Sequence, residues 1–503
     1  MRHNRSRSVQ GSVIAYALVV IATASLLLVS IVGFIVSQIK GAAHAESSEQ
    51  AFQIAESGIH FYKWYLAHET DGRNAQEIQA FWTSSAYGVG TSYEAEYADP
   101  LGDPVGRYRI TVTPPEADST IAWVESEGWT YNHPDLRRTI RVRFRQPSWS
   151  EYATLANLPD ETGSNSIIRF GTGTEVYGKI HANRMVRFDG LAHSLVTSAA
   201  AEGDDPDHSG GNEFGVHTHV NPPPGSGVND SFRPDEAPPN SVPSRPDVFE
   251  GGRAFPVAAI DFGGLLSDLS LMRSEAQSGN GVYFDRSGHG RHIFLQPDGT
   301  FDVCRVRRVN SGNSPYRYYR NSGGGSCSSC SGSCLSTYDI PDDGVIYVED
   351  DVWLSGRIDG QRVTVVGVDL DSDSAEPSVY IQNDLLYTQY DGTETIGVIG
   401  ETDIEIPRAS EDDLRIDAAL LAQKGRVGRE YYTRCYWWGC SYVDTRDTIT
   451  VYGAIATNLR YGFAYIDGTG YQIRNLLYDN NLLYSPPPYF PTTQYIIDLW
   501  EEL

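Results

Sequence analysis

Residues 13–36 read VIAYALVVIATASLLLVSIVGFIV, an uncharged run set directly behind the basic leader Met1-Arg2-His3-Asn4-Arg5-Ser6-Arg7-Ser8-Val9-Gln10-Gly11. At about 1.5 Å per helical residue the run is long enough to cross a hydrocarbon core of about 30 Å. Arginines precede it and Lys40 is its one close basic follower, so the N-terminus is expected in the cytoplasm and everything from about Gly41 outside. The helical period continues beyond the apolar run. Ala45, Ser48, Phe52, Ala55, Ile59, Tyr62 and Leu66 fall three and four apart, with Glu46, Glu49, Gln50, Gln53, Glu56 and Lys63 on the other face. No proline occurs before Pro100. The pattern predicts one helix from near Ser12 to near Ala67, greasy in its first half and amphipathic in its second. Gly33, Gly41 and Gly58 each weaken it by about 1 kcal/mol relative to alanine.

The leader ending in glycine, the apolar helix behind it and Gln50-Ala51-Phe52-Gln53-Ile54-Ala55-Glu56-Ser57-Gly58-Ile59 together resemble the N-terminus of PilX-type minor pilins, components of type IV pili and type II secretion pseudopili. The resemblance covers residues 1–65. It implies cleavage after Gly11 by a prepilin peptidase, a mature chain beginning at Ser12, and partners that are other pilins or pseudopilins meeting this helix. Major pilins carry a glutamate at the fifth mature position, where this chain has Tyr16. That departure points away from an ordinary repeating subunit and towards a low-copy tip or initiation component. Two plainer readings are an uncleaved anchor and signal-peptidase cleavage at Ala43-His44-Ala45. The apolar run exceeds the 7–15 residues usual for a signal-peptide core, which disfavours the second.

The chain has 503 residues and a formal charge of −26, which disfavours nucleic acid as a partner because phosphates select Lys and Arg. The basic clusters Arg137–Arg145 and Arg305–Arg308 alternate with apolar residues and read as exposed strand faces. With 31 tyrosines, 49 glycines and 26 prolines, the ectodomain is expected to be rich in strands and loops.

A short helix is expected at Asn74–Trp82, then four strands at Tyr93–Tyr97, Arg107–Thr113, Ile121–Trp129 and Arg138–Phe144, several alternating polar and apolar residues. A helix followed by such an antiparallel meander is also what the resemblance to pilins implies. From Glu151 short glycine-punctuated strands take over. Later strands start at Val345, Val363, Val379, Gly397 and Arg415, a steady spacing that suggests one coil per repeat. The fold class expected is α+β, mainly β: the helix, the small meander, then a right-handed parallel β-solenoid with insertions. An antiparallel sandwich with regular turns is the alternative. The divisions are a leader (1–11), a transmembrane helix (12–40), helix plus meander (41–147), solenoid (148–196 and 341–485), an irregular insertion (197–340) and a tail (486–503). Within the insertion, Asp204–Pro246 reads as a long loop, Ala258–Gln277 as a helix and Gly281–Val309 as a hairpin around Pro297-Asp298-Gly299. Thr493–Leu503 reads as a capping helix.

The six cysteines are Cys304, Cys327, Cys330, Cys334, Cys435 and Cys440. Their clustering would suit zinc in a reducing compartment, but outside the membrane an even count favours disulfides. Cys435–Cys440 is the expected pair; the other four allow three connectivities. Asp369, Asp371, Asp373 and Glu376 alternate as in a calcium loop, but the sixth position is Ser374 rather than glycine, so a solvated turn is expected. His217 and His219, with His208 and Glu213 near, offer imidazoles at i and i+2 on one strand face. The proline-rich surroundings supply no rigid support, so no metal and no other cofactor is expected. No nucleophile elbow, Walker loop, HExxH or dinucleotide fingerprint occurs, and no enzymatic activity is expected. The alternative is a membrane-anchored surface β-helix protein that cleaves or binds polysaccharide. Asp350-Asp351 and Glu411-Asp412-Asp413 would then supply the carboxylates of a glycosidase or lyase, and Trp437 and Trp438 the contacts of an adhesin.

Overall fold

The computed structural model describes residues 10–503 except 71–72, 74, 85, 117–118, 159–166, 263–264, 280, 287–289, 307–308, 312–316, 320–332, 343, 372–375, 438, 443–444, 466–467 and 494. It begins with α1, a 61-residue helix from Gln10 to Thr70. The side chains from Val13 to Ile39 are exposed along the whole first half. The second half is buried from Ser47 onward, through Ala51, Ile54, Ala55, Ile59, Tyr62 and Leu66. Ala45, expected on the packed face, is exposed because the sheet below begins one turn later.

That sheet is an antiparallel meander of β1 (Tyr93–Ala98), β2 (Pro104–Thr113), β3 (Ile121–Thr130) and β4 (Arg137–Arg145). A short helix, α2 (Ala75–Ser84), precedes it. Ile110, Val124, Ile140, Val142 and Phe144 point at α1, while the alternate residues face outward. The helix lies so close to β3 that a β-carbon on Gly128 would collide with the Ala51 carbonyl oxygen and the Ala55 nitrogen. Gly58 meets Ser126 and Tyr108 in the same way, so this glycine serves close packing rather than marking a weak point.

The fifth strand of the sheet is Ile496–Glu502, antiparallel to β4. The capping helix expected there does not form. The edge of β4 offers unpaired backbone groups, and Ile496-Ile497 with Leu499-Trp500 suit an extended chain bulged at Asp498. The strand also brings Asp498 to Arg143 (2.8 Å) and Arg145 (3.0 Å), and Glu502 to Arg138. Arg141 and Arg137 stack on Trp123 and Trp129 at 4.1 and 4.4 Å from the ring centroids. The basic run is therefore a face of ion pairs and cation–π contacts.

Beyond Pro147 the strands form a long parallel ladder. In spatial order it runs Arg253–Ala254, Val196–Ser198, Ile180–Ala182, Thr154–Ala156, Thr445–Thr457, Asp413–Ala422, Thr395–Gly400, Arg362–Gly367, Gly344–Val348 and Gly281–Phe284. The chain thus enters mid-ladder at Thr154, works out to Ala254, crosses to the far end and returns. The helix α3 (Leu265–Ser278) lies on that crossing, with Leu269 and Met272 buried. A second stack contains Arg291–Leu295, Val352–Arg357, Val379–Tyr380, Ile404–Glu405 and Val427–Gly428.

Gly281–Phe284 and Arg291–Leu295 are therefore ladder rather than irregular insertion. Arg291–Leu295 also forms the expected hairpin with Thr300–Arg305. The spacing of strand starts has a different origin from a single repeat. Val345, Val363, Gly397 and Arg415 lie in the strands of the first stack, whereas Val379 lies beside Val352 and Ile404 in the second, so the steady interval does not count one coil per repeat.

Candidate functional site

Two places in the molecule invite function. One is the exposed half of α1. It is long and apolar enough to cross a membrane, and none of its most apolar window is buried in the protein. Tyr16 projects from it with 72% of its surface free. Gly11 and Ser12 lie in its first turn.

The other is a buried cluster in the segment expected as a long loop. Val216–His217 pairs in parallel with Met185–Phe188, which pairs with Ile167–Phe170. Arginines clamp the segment onto these strands. Arg233 donates to the Thr218 carbonyl at 2.9 Å, Arg245 to that of Val220 at 2.9 Å, and Arg253 to that of Val216 at 2.7 Å. The support that prolines cannot give is thus supplied by guanidinium–carbonyl bonds, and His217 and His219 are each 2% exposed.

Around them the chain gathers Asp205, fully buried, together with His208 and Glu213. Asp205 Oδ2 lies 3.1 Å from His217 Nε2 and 3.4 Å from His219 Nε2. Its other oxygen accepts from Arg169 at 3.0 Å. The Nδ1 of His217 faces the Phe214 carbonyl at 2.9 Å, and the Nδ1 of His219 faces Asp230 Oδ1 at 2.9 Å. Both of those oxygens only accept, so both Nδ1 atoms carry the proton. His208 Nε2 meets Glu213 Oε1 at 3.1 Å. Burial lifts the Asp205 carboxyl, but the hydrogen bond from His217, the Asp207 amide and the Arg169 charge carry it well below the usual range. Burial lowers His219 below the usual imidazole value, against the pull of Asp230. Arg187 spans the rim, bonded to Asp189 (2.7 Å), Asp207 (2.6 Å) and Asp230 (2.7 Å).

Sequence reading singles out His208, Glu213, His217 and His219 but not Asp205 or Asp230, which lie apart from the histidine pair. The acidic run Asp204-Asp205-Pro206-Asp207 just before His208 is the signal that points to Asp205.

The remaining candidates are placed apart. On the backbone, Cys304 stands opposite Cys334 between neighbouring antiparallel strands, and Cys435 opposite Cys440 across a hairpin. Cys327, Cys330, Asp373, Ser374 and Trp438 lie outside the described residues. Trp437 is 92% exposed. Asp371 pairs with Arg273, and Asp369 lies 3.6 Å from Arg286. Asp351 accepts from the Ser378 amide at 3.0 Å, Glu411 from Asn383 at 2.6 Å and Asp412 from Arg446 at 2.5 Å.

No protein-family model matches the chain. No curated protein matches it either. Among solved structures, the competence-associated pilin ComZ from Thermus thermophilus is similar over 91% of this chain and 97% of its own, at 14% identity and a TM-score of 0.33. A likeness of that size establishes neither a shared fold nor a shared function.

Proposed function

We propose that this chain is a membrane-anchored, pilin-like structural component of a type IV pilus or related secretion filament. The carrying observation is the division of α1. One unbroken helix exposes an apolar half from Val13 to Ile39 and packs its other half beneath an antiparallel sheet. In water, so large an apolar surface needs a cover, and lipid or the helices of neighbouring subunits provide one. The leader arginines orient the helix with its N-terminus in the cytoplasm and the remainder periplasmic or extracellular. Processing follows Gly11. The parallel ladder forms the coils of a right-handed solenoid, the usual hand of parallel crossovers, and Cys435–Cys440 closes an arm upon it.

Tyr16 refines the reading. A repeating subunit needs a carboxylate near this position to offset a neighbour's terminal amine in an apolar bundle, because an unpaired buried charge is costly. A subunit at the tip has no such neighbour ahead of it, so the protein is a low-copy tip component, and its non-pilin partners at the surface follow from what the ectodomain meets. N-terminal mass spectrometry of membrane-derived protein tests the processing: a mature start at Ser12 supports it, and a start at Met1 or Glu46 overturns it. Immunogold labelling tests the location, since label along the whole shaft would contradict a tip position.

A further inference from the structure

We propose that Asp205, His217 and His219 form a structural site for one divalent transition-metal ion of the zinc class, with the His208–Glu213 pair at its edge. The chemistry of the donors selects the ion. Asp205 Oδ2, His217 Nε2 and His219 Nε2 lie within 4.8 Å of one another, as do the ligand atoms of His208, Glu213 and His219. Imidazole nitrogens suit zinc, nickel or cobalt, whereas calcium and magnesium take oxygen ligands.

Hydrogen bonding orients these donors inward. Because each Nδ1 is spent on an oxygen that only accepts, it is the Nε2 atoms that face the Asp205 carboxylate, and an ion would displace the proton that joins His217 Nε2 to Asp205 Oδ2. His219 Nε2 is buried and makes no hydrogen bond, and His208 Nδ1 is orphaned likewise. A metal ion held by Asp205 and His217 would also take up the orphaned lone pair of His219 Nε2. The outer contacts match what metal-ligating histidines use, a backbone carbonyl behind His217 and a carboxylate behind His219. Arg169 bonds Oδ1 of Asp205, so Oδ2, with Arg187 at 3.8 Å, is the oxygen that faces the histidines.

Three protein ligands would ordinarily leave a catalytic ion open to substrate. Here Asp205 is fully buried and His217 and His219 nearly so, which makes the role structural: the ion ties Asp205 to the short strand Val216–His217 that pairs with Met185–Phe188.

The full chain, purified in detergent and stripped with a chelator, is titrated with zinc by calorimetry and with cobalt by visible absorption. One equivalent of zinc should bind and raise the unfolding temperature, and bound cobalt should show ligand-field bands of a nitrogen-containing low-coordinate site. His219→Gln should abolish binding. Asp230→Asn should weaken it about 10–100-fold. His193→Gln, on a surface imidazole paired with Glu250, should bind as the natural chain does. No saturable binding by the natural chain, a cobalt spectrum like that of the aqueous ion, or undiminished binding by His219→Gln overturns the proposal. Should His219→Gln fail to fold, the cobalt spectrum and the Asp230→Asn titration decide.

Discussion

The head sheet and the parallel ladder bury their strands differently, and the difference decides what a substitution in each can do. In the head, one face lies on α1 and the other on water. Strand β3 therefore alternates half-buried and buried residues almost throughout, and β4 carries arginines on its outer side. In the ladder, Gly344–Val348, Arg362–Gly367 and Thr395–Gly400 are buried at every position. Parallel strands covered on both sides read as continuous apolar runs, and antiparallel strands with one wet face read as alternation. A head strand thus has tolerant positions at every second residue, and these three ladder strands have none.

The sharpest test substitutes neighbouring positions in each. Ile396 and Ile399, three apart on one ladder strand, point to opposite faces and are both fully buried. Each isoleucine-to-alanine change should cost about 2–5 kcal/mol in denaturant unfolding. In the head, Ile140→Ala should cost as much, since Ile140 is fully buried under α1. Arg141→Ala beside it should stay within about 1 kcal/mol, because a half-buried surface cation stacked on Trp123 contributes little. A silent Ile399→Ala would break the comparison, for it would mean that one ladder face is wet.

The same contrast explains what was legible in the sequence. The helical period of α1 and the alternation of β1–β4 name both the element and its buried face, because a single period fixes both. Continuous runs such as Val363-Thr364-Val365-Val366 announce burial but not the partner. The interval between strand starts therefore suggested single coils where Val363 and Val379 belong to different stacks. Thr493–Leu503 reads as a helix along the chain, yet Ile496–Glu502 is a strand because it pairs with the waiting edge of β4, a tertiary contact invisible in the sequence. The histidine pair was visible as a pattern. Its rigidity was not, because the arginines that clamp it come from positions 233, 245 and 253.

A smaller effect is expected where the ladder extends an arm. Cys435 and Cys440 face each other in register across a two-stranded hairpin. Directly opposed residues of antiparallel strands have Cα atoms about 4.5–5.5 Å apart, inside the range of about 4.4–6.8 Å that a disulfide spans. Closing so short a loop stabilises by about 2 kcal/mol at most. Cys435→Ser should lower stability by no more than that, far less than either ladder isoleucine. Peptide mapping without reductant should find the two residues linked. Full alkylation of both in non-reduced protein would remove the bond.

The smallest effect belongs to the seam where the chain's end joins the head. Asp498 accepts from Arg143 at 2.8 Å and from the buried Arg145 at 3.0 Å, while Arg145 keeps Glu151 at 2.6 Å. Burial raises the Asp498 carboxyl, but the two guanidiniums outweigh it and leave it below the usual aspartate value. A carboxyl held lower in the folded than in the unfolded chain stabilises above the unfolded value of about 3.9 and loses that contribution as pH falls through the folded value. Asp498→Asn keeps an acceptor but removes the charge, so it should cost about 1 kcal/mol near neutral pH. The gap between natural and variant chains should hold from pH 7 to about 5, then close as the pH drops below about 4. Urea midpoints measured across that range check the sign. A gap that stays constant down to pH 3 would mean that Asp498 contributes shape rather than charge, and that the seam is held by the strand's backbone pairing alone.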